Sequence, residues 1–556
     1  MKKTIIYSLL LSTILLGSCE DEYLERTPLD EITDETFWTN EEQLVLATNA
    51  IYANIKAKNT VDMENMGDNT LWPSTTDYLQ IGSGNFGYDL GTLNTEWRSQ
   101  YTGIRQANAF LQNYQKANVA DPARKEQLAA EVRVIRAMMY SYLTSFYGDV
   151  PLITTPLDIT EIYGPRDPKE KVVDFILQDL DEAAKYLPAA IPTGANLGRL
   201  NKGAALALKA RVALYNGRFD VAEKAAKDIM DLGVYRLFTS TGPTANYRDL
   251  FTYKGKLSAG NNRETIIART HLADVSMHNL SREIQVPDQN ARWNPTKSLV
   301  DSYLMSDGLP ITLSPLYEEN SYEDVFENRD PRMIQTILQP GAAWGGRYDG
   351  SPEHYDTPTN NDHPAIFKAP KFVSDRKGSV TITGYYFTKY VELTTVAQVS
   401  RDANDIHLLR YAEVLLTYAE ARLEQNKLTQ ADIDLTINLL RDRVGMKRMV
   451  LSELTANGLD VRDEIRRERR IELALEGQRY FDILRWKQGE LLAADVKGMK
   501  KAWAAVPAHV ANLRTDANGY IVASTGRTFN PARNYLWPVP LTQLERNPEL
   551  GQNPGW

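Results

Sequence analysis

Cysteine is almost absent from this chain: Cys19 is the single one among 556 residues. One thiol excludes an intramolecular disulfide framework and a cysteine-rich metal centre. Histidine is scarce too, six in all, and the nearest pair, His271 and His278, matches no metal-ligand motif. Positive charge is in deficit, with 63 Lys and Arg against 72 Asp and Glu, a net of −9. An acidic chain gains nothing from counterion release on DNA or RNA, so no nucleic-acid partner is expected. Long apolar runs are missing after the first twenty residues, so nothing later is expected to span a bilayer. No P-loop, G-x-S-x-G elbow, H-E-x-x-H pair or D-x-D-x-D-G calcium loop occurs. The 72 carboxylates make a chance acid pair conceivable, but such a pair is defined by its separation in space. No catalytic residue, cofactor or metal is therefore assigned, and the chain is read as not an enzyme.

What is present begins at the amino terminus. Lys2 and Lys3 precede an apolar run from Ile5 to Leu16, and the stretch closes on Leu16-Gly17-Ser18-Cys19. A short cationic segment, about twelve apolar residues and a small-residue cleavage point form a secretory signal, too short to cross a membrane. The Leu-Gly-Ser-Cys ending resembles a bacterial lipobox, in which the cysteine is acylated and becomes the first residue of a lipoprotein. Residues 1–18 are thus read as a lipoprotein signal peptide and Cys19 as the lipidation site. Two or three acyl chains would anchor the protein firmly. Glu20, Asp21 and Glu22 follow, resembling the acidic signal that sends Bacteroidetes lipoproteins to the outer face of the outer membrane.

Helical periodicity recurs over Thr39 to Ala57, Thr102 to Gln115, Arg124 to Phe146, Lys171 to Leu187, Lys202 to Leu232, Leu408 to Glu424 and Thr429 to Val444. The fold class is mainly α. Leu206, Ala210, Leu214, Gly217, Phe219 and Ala222 align at an offset of 209 with Leu415, Ala419, Leu423, Asn426, Leu428 and Ala431. Each set describes a helix, a turn at Gly217 or Asn426, and a second helix with a small alanine for close packing, which looks like a tetratricopeptide hairpin. Three parts are expected beyond the signal: a helical region 19–232, a loop-rich insertion 233–405 with strands near Val380–Thr383 and Tyr386–Val391, and helices 406–490 ending in a tail, the last two parts forming a C-terminal region 233–556 packed with the first as one globular unit.

The segments "DEYLERTPLDEITDETFWTNEEQLVLATNAIY", "RVIRAMMYSYLTSFYGDVPLI", "PTKSLVDSYLMSDGLPI", "HLLRYAEVLLTYAEA", "IRRERRIELALEGQRYFDILRW" and "YLWPVPLTQLERNPELGQNPGW" run in order and resemble the SusD/RagB outer-membrane nutrient-binding lipoproteins of Bacteroidetes. The resemblance implies a SusD-like α-α superhelix of tetratricopeptide units. It also implies a lipid-anchored protein on the extracellular face that captures oligosaccharide or polysaccharide and hands it to a SusC-like TonB-dependent transporter. A peptide-capturing, RagB-like role, a surface glycoside hydrolase and a tetratricopeptide adaptor without ligand are the alternatives.

Two strings invite misreading. Gly82-Ser83-Gly84-Asn85-Phe86-Gly87 satisfies G-x-G-x-x-G, but polar residues precede it and no helix opens behind it, so a flexible aromatic-bearing loop is expected rather than a dinucleotide site. Arg466, Arg467, Arg469 and Arg470 lie three or four residues from Asp463, Glu464, Glu468 and Glu472, with Ile471, Leu475, Tyr480, Phe481 and Leu484 on the apolar side. That pattern predicts a charged helix on the scaffold rather than a phosphate-binding patch.

Sugars show apolar C–H faces and rings of hydroxyls, so their binders combine exposed aromatic platforms with amides, carboxylates or guanidinium groups. Asn69, Trp72, Asp77 and Tyr78 form one such mixture in loop-like sequence; Trp293 beside Asn290 and Arg292, and Trp344, Arg347 and Tyr348 between glycines, form the other. These eight, Asn69, Trp72, Asp77, Tyr78, Trp293, Trp344, Arg347 and Tyr348, are the expected glycan contacts, whereas Trp38, Trp97, Trp486 and Trp537 are assigned to packing and Trp556 to pinning the tail.

Overall fold

The structure, a computed structural model, describes residues 37–157, 164–285, 291–345, 355–356, 365–370, 372, 380–396 and 398–556. Cys19, Asn290, Arg347 and Tyr348 lie outside the described residues.

Helices open where the sequence supplies a cap. The Asn40 side chain accepts the Gln43 amide at the head of α1 (Glu41–Tyr52), and Thr76 does the same for Leu79 in α2 (Asp77–Gly82). The long α3 (Gly91–Asn113) has no side-chain cap at Leu90; instead the Asp77 carboxylate reaches across from α2 and accepts the Thr92 amide at 2.9 Å. Periodicity alone places this start eleven residues late, at Thr102, because the cap comes from a neighbouring element. Next come α4 (Pro122–Tyr147, capped by Asp121), α5 (Lys169–Tyr186), α6 (Lys202–Tyr215, capped by Asn201) and α7 (Phe219–Leu232, closed by Gly233 in the left-handed conformation). After the middle region follow α8 (Tyr411–Glu424), α9 (Ile437–Val444), α10 (Val461–Glu472), α11 (Arg479–Arg485) and α12 (Leu541–Arg546).

From α3 to α7 each helix packs on the next, and α8 packs on both α7 and α6. The two hairpins that look alike in sequence therefore adjoin, as a tetratricopeptide superhelix requires. Their turns sit at Gly217 (φ 69°) and Asn426 (φ 56°), the left-handed region that glycine and asparagine tolerate. The match ends one step later: Ala222 is buried, but Ala431 is exposed, because the chain after Asn426 breaks into Gln430–Asp434 and α9 and buries Ile433 and Ile437 instead.

Strands are short: β1 (Thr70–Leu71), β2 (Thr265–Arg269), β3 (Asn294–Pro295), β4 (Ala343–Trp344), β5 (Tyr355–Asp356), β6 (Ala365–Phe367), β7 (Ile406–Arg410), β8 (Val496–Lys500) and β9 (Tyr520–Ser524). They pair antiparallel as β1-β3, β2-β7, β4-β6-β5 and β8-β9. The strands expected near 380–391 are absent. There the Thr381 hydroxyl accepts the Gly384 amide at 3.0 Å and Tyr390 turns at φ 66°, so local bonds replace a ladder and leave one bridge, Ile337 to Phe387.

The apolar core falls into two large clusters. One fills the helical layer, with Trp537 stacked 3.9 Å over Phe146; the other lies under the middle region around Trp293, Trp344, Tyr385 and Tyr390. The insertion that reads as loops thus carries a packed interior of its own. Between the clusters runs an ionic core. Glu472 of α10, fully buried, takes Arg443 at 2.7 Å, Arg410 at 2.7 Å and Arg332 at 3.0 Å, while Arg410 also reaches Glu264 and Glu476. Burial alone would raise the Glu472 carboxyl; the three guanidinium groups hold it well below the usual carboxylate range instead. The arginine-rich string is a packed helix, as its spacing predicts, with Ile471 fully buried in it and Leu475 fully buried in the turn that follows. Most of its partners come from afar: Arg469 pairs with Asp482 and Glu413, and Arg470 with Asp68.

The glycine string at 82–87 closes α2. A Cβ on Gly82 would stand 2.6 Å from the Met66 carbonyl oxygen and one on Gly84 2.0 Å from that of Thr528, so these glycines permit close backbone packing. At the carboxyl end Trp556 donates its indole N–H to the Leu536 carbonyl at 3.0 Å and packs against Phe86, pinning the tail.

Candidate functional site

Pairing of β1 with β3 sets Leu71 opposite Asn294 and so brings Trp72 to Trp293, 5.3 Å apart and tilted by 53°. The two aromatic stretches singled out in the sequence, more than two hundred residues apart, meet here. Trp293 is fully buried and donates its indole N–H to the Val61 carbonyl at 3.2 Å. Trp72 rests half-buried on it, and the Arg292 guanidinium stands 5.3 Å from the Trp72 ring centroid, within cation–π range.

Charge surrounds this pair. Arg292 bonds Glu283 at 2.6 Å; Lys58 bridges Glu283 and Asp62, each at 3.1 Å, and lies 5.3 Å from the Trp293 ring. Burial pushes the Asp62 carboxyl up, with Lys58 opposing. Arg292 and Lys58 are about a quarter exposed while Glu283 beneath them is buried, so a ligand hydroxyl can reach the cation heads without parting them from their carboxylates. The cluster offers one accessible indole face, two cationic donors and two carboxylate acceptors. Its carboxylates are both tied to cations, and among the described residues no group of three His, Cys, Asp or Glu could hold a metal.

The other expected contacts are placed differently. Asn69 is buried: its amide donates to Glu64 at 2.7 Å and its oxygen accepts from Arg470 at 2.8 Å, leaving no free edge for a sugar. Asp77 caps α3 through Thr92. Tyr78 donates its hydroxyl to Glu96 at 3.1 Å, and burial, reinforced by that carboxylate, pushes the phenol up. Trp293 and Trp344 are 0% exposed, Trp344 between Phe367 at 5.1 Å and Tyr386 at 5.5 Å, so neither presents a ring face. These are corrections: the polar, glycine-rich flanks of Trp293 and Trp344 look like loops yet cover a second core, while Asn69, Asp77 and Tyr78 are already held by partners within the protein. Trp38, Trp97 and Trp537 are buried as assigned, and Trp486 donates to Glu420 at 2.7 Å.

Sequence reading missed Lys58, Asp62 and Glu283. The first two were legible as an i,i+4 pair; Glu283 joins them only through the tertiary fold. A cleft of about 580 Å³ starts at the same strand pair, where Asp68 and Thr296 flank β1 and β3. Its charges are largely paired, Lys297 with Asp301 at 2.6 Å and Lys497 with Asp516 at 2.8 Å, and Asp68, though buried, is held well below its usual range by Arg470 and Arg479.

Comparison with known proteins gives concordant matches. The model of the SusD family matches residues 273–556, and one described as starch-binding, associating with outer membrane, matches residues 22–214. SusD-like protein P2 of Formosa agariphila is 24% identical over 578 residues and covers 100% of both chains. A SusD-like protein of Bacteroides ovatus is 24% identical over 504 residues, 85% of this chain and 81% of that one. Among solved structures, a SusD-like carbohydrate binding protein from Bacteroides fragilis superposes with a TM-score of 0.78 at 29% identity, covering 93% of this chain and 100% of that one. A laminarin binding SusD-like protein reaches a TM-score of 0.65 at 20% identity, with 93% and 100% covered.

Proposed function

The chain belongs to the SusD family, and from that membership we propose that it is a surface glycan-binding lipoprotein, anchored in the outer membrane through Cys19, that captures oligosaccharide or polysaccharide for a SusC-like TonB-dependent transporter. The observation that carries this reading is the Trp72 cluster, where a partly buried indole is flanked by Arg292, Lys58, Glu283 and Asp62. A pyranose can lay its C–H face on Trp72 in place of the Arg292 guanidinium, which then turns to the hydroxyls with the carboxylates as acceptors. The description of the matched amino-terminal family model and the named ligand class of the Bacteroides fragilis neighbour support the same cargo. No chemistry follows: the acids near the ring are neutralised by cations, and the role is capture.

A shallow site of this kind needs only weak affinity. A dissociation constant near 1 mM corresponds to about −4 kcal/mol, and many tethered copies on one polymer raise the effective strength. Isothermal titration against a panel of plant, host and microbial polysaccharides and a peptide digest tests the reading. Heat with a glycan that is lost in Trp72→Ala supports it. Heat with peptide alone overturns the cargo, and new reducing ends in the titrated sample overturn the absence of catalysis.

A further inference from the structure

A second cleft, of about 690 Å³, lies between α3, residues 151–157 and α12, and shares no lining residue with the Trp72 cluster. Its walls are apolar and fixed: Trp97 and Ile104 from α3 face Pro151 and Leu157, the Tyr101 hydroxyl donates to the Pro151 carbonyl at 2.8 Å, and Asn108 holds the Ile153 carbonyl at 2.9 Å. The volume falls within the range of small-ligand sites, about 300–1,000 Å³.

Three guanidinium groups line it, Arg98 and Arg105 from α3 and Arg546 from α12 on the opposite wall. All three side chains are exposed, and none makes an ion pair or side-chain hydrogen bond among the described residues. Other exposed arginines hold a carboxylate, as Arg462 does at Glu424 and Arg448 at Asp442; these three instead converge on one cleft. Cations of one sign over low-dielectric walls focus a positive potential, and among the described residues the cleft is rich in donors with no acid in its lining.

The spacing selects the ligand further. Arg98 and Arg105 stand two turns apart on one helical face, about 10.5 Å along the axis. That matches the disaccharide repeat of an extended polysaccharide, in which every second sugar presents the same face. In an extended peptide the same distance is about three residues, and side chains three apart point to opposite sides. We propose that this cleft is a second glycan subsite, selective for polysaccharides that carry a carboxylate or sulfate on alternate sugars, with Arg98 and Arg105 reading successive acidic groups and Arg546 closing from the other wall. The proposal rests on the glycan-capture reading and deepens it.

Titration of the full-length protein with hyaluronan octasaccharide (carboxylate), κ-carrageenan oligosaccharides (sulfate), neutral laminarin oligosaccharides and poly-L-glutamate tests it. The expected result is binding of one or both acidic sugars that weakens with added salt, falls at least tenfold in the double variant Arg98→Gln/Arg105→Gln, and changes less than twofold in Trp72→Ala. Arg546→Gln, on a separate element, should weaken the same ligand, and unchanged melting temperatures show that the variants fold. Binding of neutral sugar alone, lost in Trp72→Ala, overturns this subsite and leaves glycan capture standing. Poly-L-glutamate binding that the arginine variants abolish overturns the sugar class, and no binding by any sugar removes both readings.

Discussion

The ionic core around Glu472 and the cluster around Trp72 use the same side chains, arginine or lysine, carboxylate and aromatic ring, to opposite ends. At Glu472 every partner is fully buried, three guanidinium groups converge on one carboxylate, and Arg443 packs 4.9 Å from the Tyr247 ring. Such a group has no lower-energy alternative to its own partners, because leaving them means an unpaired charge in a low dielectric. At Trp72 the cations sit a quarter exposed, so water or a hydroxyl can reach their heads while Glu283 stays paired beneath them. Residue type therefore says little about role; access to solvent decides whether an ion pair is architecture or a place for a ligand.

Removing the central acid breaks this comparison most sharply. Glu472→Ala leaves Arg332, Arg410 and Arg443 without their shared partner, and a loss of about 3–5 kcal/mol is expected in urea unfolding, or failure to yield soluble protein. The same core predicts an acid limit. Burial would raise Glu476, but Arg410 and Lys389 bring it down to about 2, against 4.5 for the free side chain. Its contribution is complete above the unfolded value and disappears as the pH falls from about 4.5 toward 2; His271 and His407, which burial brings down to about 4 from 6.5, begin to lose theirs below about 6.5, so the urea midpoint should decline gently from about pH 6.5 and drop steeply below 4.

Smaller effects sharpen the contrast from the exposed side. Trp72→Ala should cost about 1–2 kcal/mol of stability yet weaken binding of a neutral glycan seated on that ring about tenfold, an equilibrium change of about 1.4 kcal/mol; calorimetry on one sample reads both. Arg292→Ala should shift binding by a smaller factor with the melting temperature nearly unchanged. At the far end, Lys224→Ala, which breaks a fully exposed pair with Asp228, should leave both quantities unchanged.

Much of the helical layer was legible. Arg124 to Phe146 anticipates α4 within two residues, and Gly217 and Asn426 mark the two turns. The failures share a physical cause. The start of α3 hides because Asp77 caps it from another element. The middle region reads as loops because its buried rings are separated by turn residues and follow no period, so Trp293 and Trp344 look open to a ligand although they hold a core together. Asn69 and Tyr78 failed likewise: a polar side chain in loop-like sequence does not announce that Arg470 or Glu96 already holds it.

By itself the sequence determined the mainly helical class, the repeated hairpins, the family resemblance and the exclusion of disulfides, because caps, left-handed turns, apolar periodicity and residue counts are local properties. Tertiary structure alone decided which aromatic ring reaches solvent and which cation lacks a partner. Those depend on contacts such as Glu283 with Lys58 and Glu64 with Gly477, hundreds of residues apart along the chain, that no spacing rule can supply.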